Sequence, residues 1–134
     1  MATTLDSRDE RAIADLHREW IRRELAGPPD AIVDLCTPGI VLLAPGEPPI
    51  SGRAAVREWL RQPGPELLGI DADITWIRGR GGSALKLASF RTTFRDTVTG
   101  APHTVAGHHL WALERDVSGH WRVSLLTWTL RPDA

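Results

Sequence analysis

Tyrosine and asparagine are both missing from this chain of 134 residues, and with them every mechanism that needs a phenol or an asparagine amide. Cysteine occurs once. Cys36 cannot close an internal disulfide, and its place beside Leu35 on an apolar segment without an activating base predicts an inert, buried thiol. Lysine also occurs once, as Lys86; every other one of the 16 basic residues is arginine. A basic block is lacking too. With 17 acidic residues and a formal net charge of -1, the chain has no electrostatic footprint for nucleic acid. No apolar run approaches the roughly 20 residues that span a bilayer, so no membrane partner is expected. The opening MATTLDSRDER lacks the apolar stretch of a signal peptide, and a cytoplasmic location is the expectation. What remains is 42% hydrophobic and 25% charged, the proportions of one globular domain over 1–134. A domain of this size buries roughly two thirds of its unfolded surface and needs no structural metal.

Helix signals crowd the front of the chain. Ser7 and Glu10 are spaced as a capping box, and Ile13, Leu16 and Trp20 then fall on one stripe with His17 and Glu24 beside it. Gly27-Pro28-Pro29 ends that helix, and a short second one is predicted over 30–36. A strand over 40–44 runs into the proline-rich loop 45–49. A third helix follows through Leu60, capped at Ser51-Gly52, with Val56, Trp59 and Leu60 inward and Arg53, Arg57 and Arg61 on a solvated stripe. From Ile70 onward, alternation and glycine turns predict four strands, 70–78, 83–96, 103–115 and 120–130. The apolar parity of the second changes from Leu85 and Leu87 to Phe90 and Phe94, which predicts a bulge near Ser89. By simple alternation Trp128 lies opposite Trp121. The fold class is α+β, a curved antiparallel sheet wrapped around N-terminal helices.

The stretches LAGPPDAIVDLCTPGIVLLAPGEPPISGRAAVREWL and GHHLWALERDVSGHWRVSLLTWTL, in this order of elements, resemble the NTF2-like superfamily and within it the SnoaL-like branch. The resemblance covers nearly the whole chain. It implies a cone with an apolar pocket open at one end and a homodimer formed through the sheet. Ketosteroid isomerase, polyketide cyclases, scytalone dehydratase and limonene epoxide hydrolase belong to the superfamily, beside binding-only domains, so the fold does not settle the activity. Compared with ketosteroid isomerase, Trp20 stands at the tyrosine, Ala44 at the base aspartate before a proline, and His109 at or close to the protonated aspartic acid. Without the carboxylate base, abstraction of a steroid α-proton by that route is excluded. The Tyr/Asn/Asp set of the epoxide hydrolase is excluded by composition, and no match to a cyclase aspartate is found.

His103, His108 and His109 suggest a metal cluster only until strand geometry is applied. His108 and His109 point to opposite faces, and His103 stands about 20 Å from His109 at ~3.3 Å per residue. A site that adds His17 still lacks a third ligand, and neither a metal nor another cofactor is expected. His109 shares the more apolar strand face with Val105, Gly107, Trp111 and Leu113, where a partly buried imidazole can exchange a proton near neutral pH. It is the candidate catalytic residue, the alternative being a core histidine satisfied by a carbonyl or by Glu24. Trp20 offers one indole N–H to orient a ligand carbonyl, or is simply core. Trp111, Trp128 and Phe90 are candidate pocket walls, with His17 beside them. Arg91 either reaches the pocket and binds an acidic group or faces solvent. These residues predict a cofactor-independent isomerase, dehydratase or cyclase acting on a small apolar carbonyl compound. The rival reading is a non-catalytic ligand-binding or dimerisation module.

Overall fold

The computed structural model describes residues 4–132; residues 1–3 and 133–134 of the expected domain, and with them the first residues of the opening segment, lie outside the described residues. Helix α1 runs Ser7–Ala26 and ends at Gly27, where φ is 71° and the backbone N–H donates to the Arg23 carbonyl. Its capping box is set one residue earlier than Ser7 and Glu10 suggest. The Asp6 carboxylate accepts from the Asp9 N–H at 2.8 Å, and Asp9 accepts the Asp6 N–H in return at 3.4 Å. Asp9 wins because it does two jobs: it also accepts from Arg115 and from the Trp121 indole at 3.3 Å, pinning the helix start to the far end of the sheet. Ile13, His17 and Trp20 are the buried stripe of α1, so His17 lies on the stripe itself and Leu16 at its margin.

The second expected helix is a 3-10 helix, Pro29–Leu35, of about two turns, that sends Ile32, Val33 and Leu35 into the core. Strand β1, Cys36–Leu43, begins earlier than predicted. Pro38 and Gly39 sit inside an irregularity between Cys36 and Val41, so they interrupt the ladder without ending the strand. Ser51 belongs to the two-residue strand β2, Ile50–Ser51, and gives no side-chain cap to helix α2, Arg53–Leu60; Gly52 takes that position at φ 90°. The arginine stripe of α2 is exposed at Arg61 and half-buried at Arg53 and Arg57, and it is also paired. Arg61 and Arg57 reach Asp30 at 2.7 and 3.5 Å, and Arg53 donates to the Cys36 carbonyl, clamping α2 onto the 3-10 helix.

Strands β3 (Glu66–Arg80), β4 (Ser83–Arg95), β5 (Pro102–Arg115) and β6 (Trp121–Leu130) form the antiparallel meander. The full sheet order is β2-β1-β6-β5-β4-β3, with β1 parallel to β6, so the sheet is mixed at one edge; it is curved and does not close on itself. The bulge expected near Ser89 is elsewhere. Strand β4 pairs with β5 without interruption from Ser83↔Glu114 to Arg95↔Pro102, while the displaced residues are Leu68 and Thr75 on β3 and Ser124 on β6. Strand β4 therefore keeps one parity throughout. Ala84, Lys86, Ala88 and Phe90 face the helices, and Leu85 and Leu87 face away. Ser124 has the opposite effect on β6, because Trp121 and Val123 before it and Leu126 and Trp128 after it all lie on the inner face, contrary to simple alternation.

Candidate functional site

The register lines up a row of inner-face residues along the middle of the sheet. Phe90 stands across from Gly107; Ala88, His109 and Trp128 form the next rank; Lys86, Trp111 and Leu126 the next; Ala84 and Leu113 the deepest. Exposure falls along that row. Phe90, His109 and Trp128 are half-buried, whereas Lys86 and Trp111 are 0% and Leu113 1% exposed. Phe90, His109 and Trp128 are thus the less buried large side chains of the row, and Lys86 lies one rank behind His109, about 7 Å along the strand. Trp59 of α2 approaches Trp128 with ring centroids 6.5 Å apart and helps frame that end of the row.

Helix α1 completes the site from above. The His109 ring stacks between Phe90 and Trp111, with centroids 6.0 and 5.9 Å apart, and meets His17 edge-on at 5.9 Å. Trp20 packs on Trp111 at 4.8 Å. His17 Nε2 lies 3.1 Å from the Ala72 carbonyl, which can only accept, so Nε2 carries the proton and Nδ1 is left as an acceptor. The amine of Lys86 donates to that Nδ1 and lies over the face of Trp111, 3.1 Å from its centroid. No ion pair among the described residues includes Lys86. Two buried polar atoms have no hydrogen-bond partner among the described residues, His109 Nε2 and Trp111 Nε1.

Burial sets the charge state of this cluster. Desolvation pulls the Lys86 ammonium down to about 6, and the Glu24 carboxylate only partly opposes it. His109 is pushed down to about 3 by burial first, then by Lys86 and His17; His17 is lowered for the same first two reasons, burial and Lys86. Glu24 is raised to about 7 by burial, against the Trp20 indole and Lys86, which both favour its charged form. At neutral pH the cluster is therefore an uncharged amine and two uncharged imidazoles, with one carboxyl close to its midpoint.

Of the residues singled out from the sequence, His17, Trp20, Phe90, His109, Trp111 and Trp128 share the inner face of the cone. Arg91 does not join them. It is exposed, across from Asp71 and Ala106, on the face turned away from the helices. Glu24 gives no hydrogen bond to His109, whose Nε2 stays unpartnered. Lys86 is the residue that sequence reasoning missed at this site; its signal was there, one lysine in an arginine-only background, alternating with Ala84 and Ala88. Cys36 is 2% exposed, and burial raises its thiol to about 12. Among the described residues no three His, Cys, Asp or Glu side chains converge as metal ligands, and no helix is long and apolar enough to cross a membrane.

Comparison with known proteins agrees with this geometry. A conserved protein from Planctomyces limnophilus superposes with a TM-score of 0.78 at 20% identity, over 94% of this chain and 100% of that one. A ketosteroid isomerase-like protein from Erwinia carotovora atroseptica gives 0.75 at 17% identity, over 92% and 94%. An NTF2-like superfamily protein from Salmonella enterica gives 0.76 at 10% identity, over 93% and 92%. At these identities the likeness is one of fold. No curated protein matches the sequence significantly. The family model for the SnoaL-like domain matches residues 17–123, which include His17, Trp20, Lys86, Phe90, His109 and Trp111 but not Leu126 or Trp128, and the chain belongs to the SnoaL-like domain family, with the fold of its NTF2-like neighbours.

Proposed function

We propose that this domain is a cofactor-independent enzyme that isomerises, dehydrates or cyclises a small apolar carbonyl compound on the inner face of its cone. The observation that carries the proposal is His109 Nε2, buried without a partner at the half-exposed end of a polar cluster walled by Phe90, Trp111 and Trp128. A buried polar atom left unpaired costs about 1–3 kcal/mol, a cost that a ligand oxygen or a transferring proton would offset. The ring is held neutral by burial first; negative charge developing on a substrate oxygen opposes that effect and raises the proton affinity of His109 as the reaction proceeds. Trp20 orients and packs the ligand end nearest α1. The ketosteroid isomerase-like neighbour supports the reaction class by fold alone.

A non-catalytic ligand-binding module is the second reading, and Ala44 favours it: the strand position held by a base in the best understood relative carries a methyl group here, 7% exposed. For either reading we propose a homodimer through the outer sheet face, where Leu85 is 43% exposed beside Trp76 and Leu87. Light scattering on the purified protein tests the dimer, and a monomeric mass at micromolar concentration refutes it. Titration with aromatic polyketides, steroids and terpenoids should quench the fluorescence of Trp20 and Trp111; a silent panel counts against an apolar site. With a turned-over compound identified, His109→Ala should lower kcat by about 10²–10⁴, the range for a lost general acid–base group. Unchanged turnover in that variant leaves only the binding reading.

A further inference from the structure

We propose that Lys86 is a nucleophile that captures a ketone or aldehyde as an imine, one rank behind His109 on the inner sheet face. The inference rests on the reading of that face as a carbonyl-compound site and adds to it a covalent step and a second catalytic residue. Geometry supports it at four points. Lys86 is 0% exposed and takes part in no ion pair among the described residues, so an ammonium there is compensated only in part, by the Glu24 carboxylate and the Trp111 face. His17 Nδ1, its tautomer fixed by the Ala72 carbonyl, takes one N–H of the amine and thereby orients the nitrogen without consuming its lone pair. The exposure gradient places the amine beyond Phe90, His109 and Trp128, so a compound admitted by their movement meets His109 first and Lys86 next. The Trp111 N–H and His109 Nε2, both unpartnered, flank the same rank. A lysine needed only for its volume has apolar substitutes without the desolvation cost, and this chain uses arginine wherever else it needs a cation.

The chemistry balances without a co-reactant. The Lys86 lone pair forms a C–N bond as the carbonyl π bond breaks onto oxygen, which gains a proton while the nitrogen loses one, giving a carbinolamine. A solvent proton taken up by its hydroxyl breaks the C–O bond and releases water, leaving a protonated imine; the same proton returns to solvent when the imine is hydrolysed. Its nitrogen withdraws electrons from the neighbouring carbon, and an α-proton can then pass to His109 Nε2 and return at another carbon. Hydrolysis by the same water equivalent frees the product and restores the amine. Such a site does the work of the aspartate and phenol that the chain lacks. Burial, which brings the amine to about 6, keeps it nucleophilic at neutral pH.

The test exploits the fact that Lys86 is the only lysine, so that the α-amino group is the only other primary amine. Wild type and Lys86→Met are incubated at pH 7.5 with benzaldehyde, acetophenone or cyclohexanone and sodium cyanoborohydride, followed by peptide mass mapping and, in parallel, tryptophan fluorescence. A free lysine at that pH is neutral in about one molecule in a thousand. Lys86 in the folded protein should therefore be reductively alkylated at least tenfold faster than Lys86 in the urea-unfolded chain, despite its burial. Lys86→Met, checked for fold by circular dichroism, should lose that adduct, which confirms the mass assignment. A structural lysine gives the reverse order, with unfolding speeding alkylation. That result, together with a fluorescence response, overturns the imine and leaves the carbonyl site standing; absence of both adduct and fluorescence response overturns the two together.

Discussion

Replacing Lys86 by methionine should make the protein more stable and should flatten part of its pH profile. The amine is brought from 10.5 to about 6 by burial, so between those values the unfolded chain binds one more proton at this residue than the folded one. Stability therefore rises with pH across that window, by about 1.4 kcal/mol per unit, and reaches its low plateau below the folded value. At pH 7, about 3.5 units below the free value, keeping the amine uncharged costs about 5 kcal/mol. Methionine of similar length removes that cost but leaves His17 Nδ1 without its donor, a loss of about 1–3 kcal/mol, so a net gain of about 2–4 kcal/mol is expected. The cleanest window is pH 7.5 to 9. His17 and His109 have finished titrating in both states there; Glu24 in the folded protein and the Cys36 thiol in the unfolded chain still lose protons, but they do so in Lys86→Met as well, so the difference between the two proteins isolates Lys86. Guanidinium unfolding across those 1.5 units should show a wild-type gain of about 2 kcal/mol that Lys86→Met lacks. Equal slopes in the two proteins, or a flat wild type, would refute the uncharged interior lysine.

Gly107→Ala should be among the most damaging single methyl additions in the chain. A Cβ there would lie 1.8 Å from the Thr129 carbonyl oxygen, which is backbone of the paired strand and cannot swing away; a loss of more than about 3 kcal/mol is expected in denaturant unfolding, and a wild-type midpoint would show that the β5–β6 ladder is slack. Cys36, buried and with its thiol raised to about 12, should react with a disulfide reagent only after denaturation; prompt labelling of the native protein would place the thiol at an accessible edge.

Much of this architecture is legible from residues whose physics is local. The α1 stripe follows from helical periodicity and its end from Gly27, and the meander follows from glycine turns such as Gly81-Gly82 between Arg80 and Ser83. The inner face of β5 is nearly as plain, because Trp111 and Leu113 alternate with Ala112 and Glu114 and carry His109 with them, Leu110 being the one large apolar residue on the other face. What escapes is long-range. Thr75 and Ser124 displace the register without any glycine or proline to announce it, so parity counted along β3 and β6 goes wrong from those points onward. Thr37-Pro38-Gly39 reads as the stop of the second helix with the strand starting only at Ile40, yet Cys36 already belongs to β1, because β6 supplies a parallel partner at Val123 that no local signal indicates. On β4, hydrophobicity favours Leu85 and Leu87 as the inner pair, whereas neighbouring strands put Ala84, Lys86 and Ala88 there; a lysine turned inward beside two alanines breaks the binary pattern at the site where chemistry is proposed.

The parallel pairing of β1 with β6 has a consequence for the life of the chain on the ribosome. Leu42 finds its strand partner at Leu126, and the α1 stripe of Ile13, His17 and Trp20 finds its cover on strands made still later than β1. Helix α1 is synthesised first and sheltered last. With contacts this distant in sequence, closure belongs to the slow, millisecond-to-second regime and waits for the last strand to emerge, so the nascent chain carries an amphipathic helix with its apolar stripe open throughout most of translation.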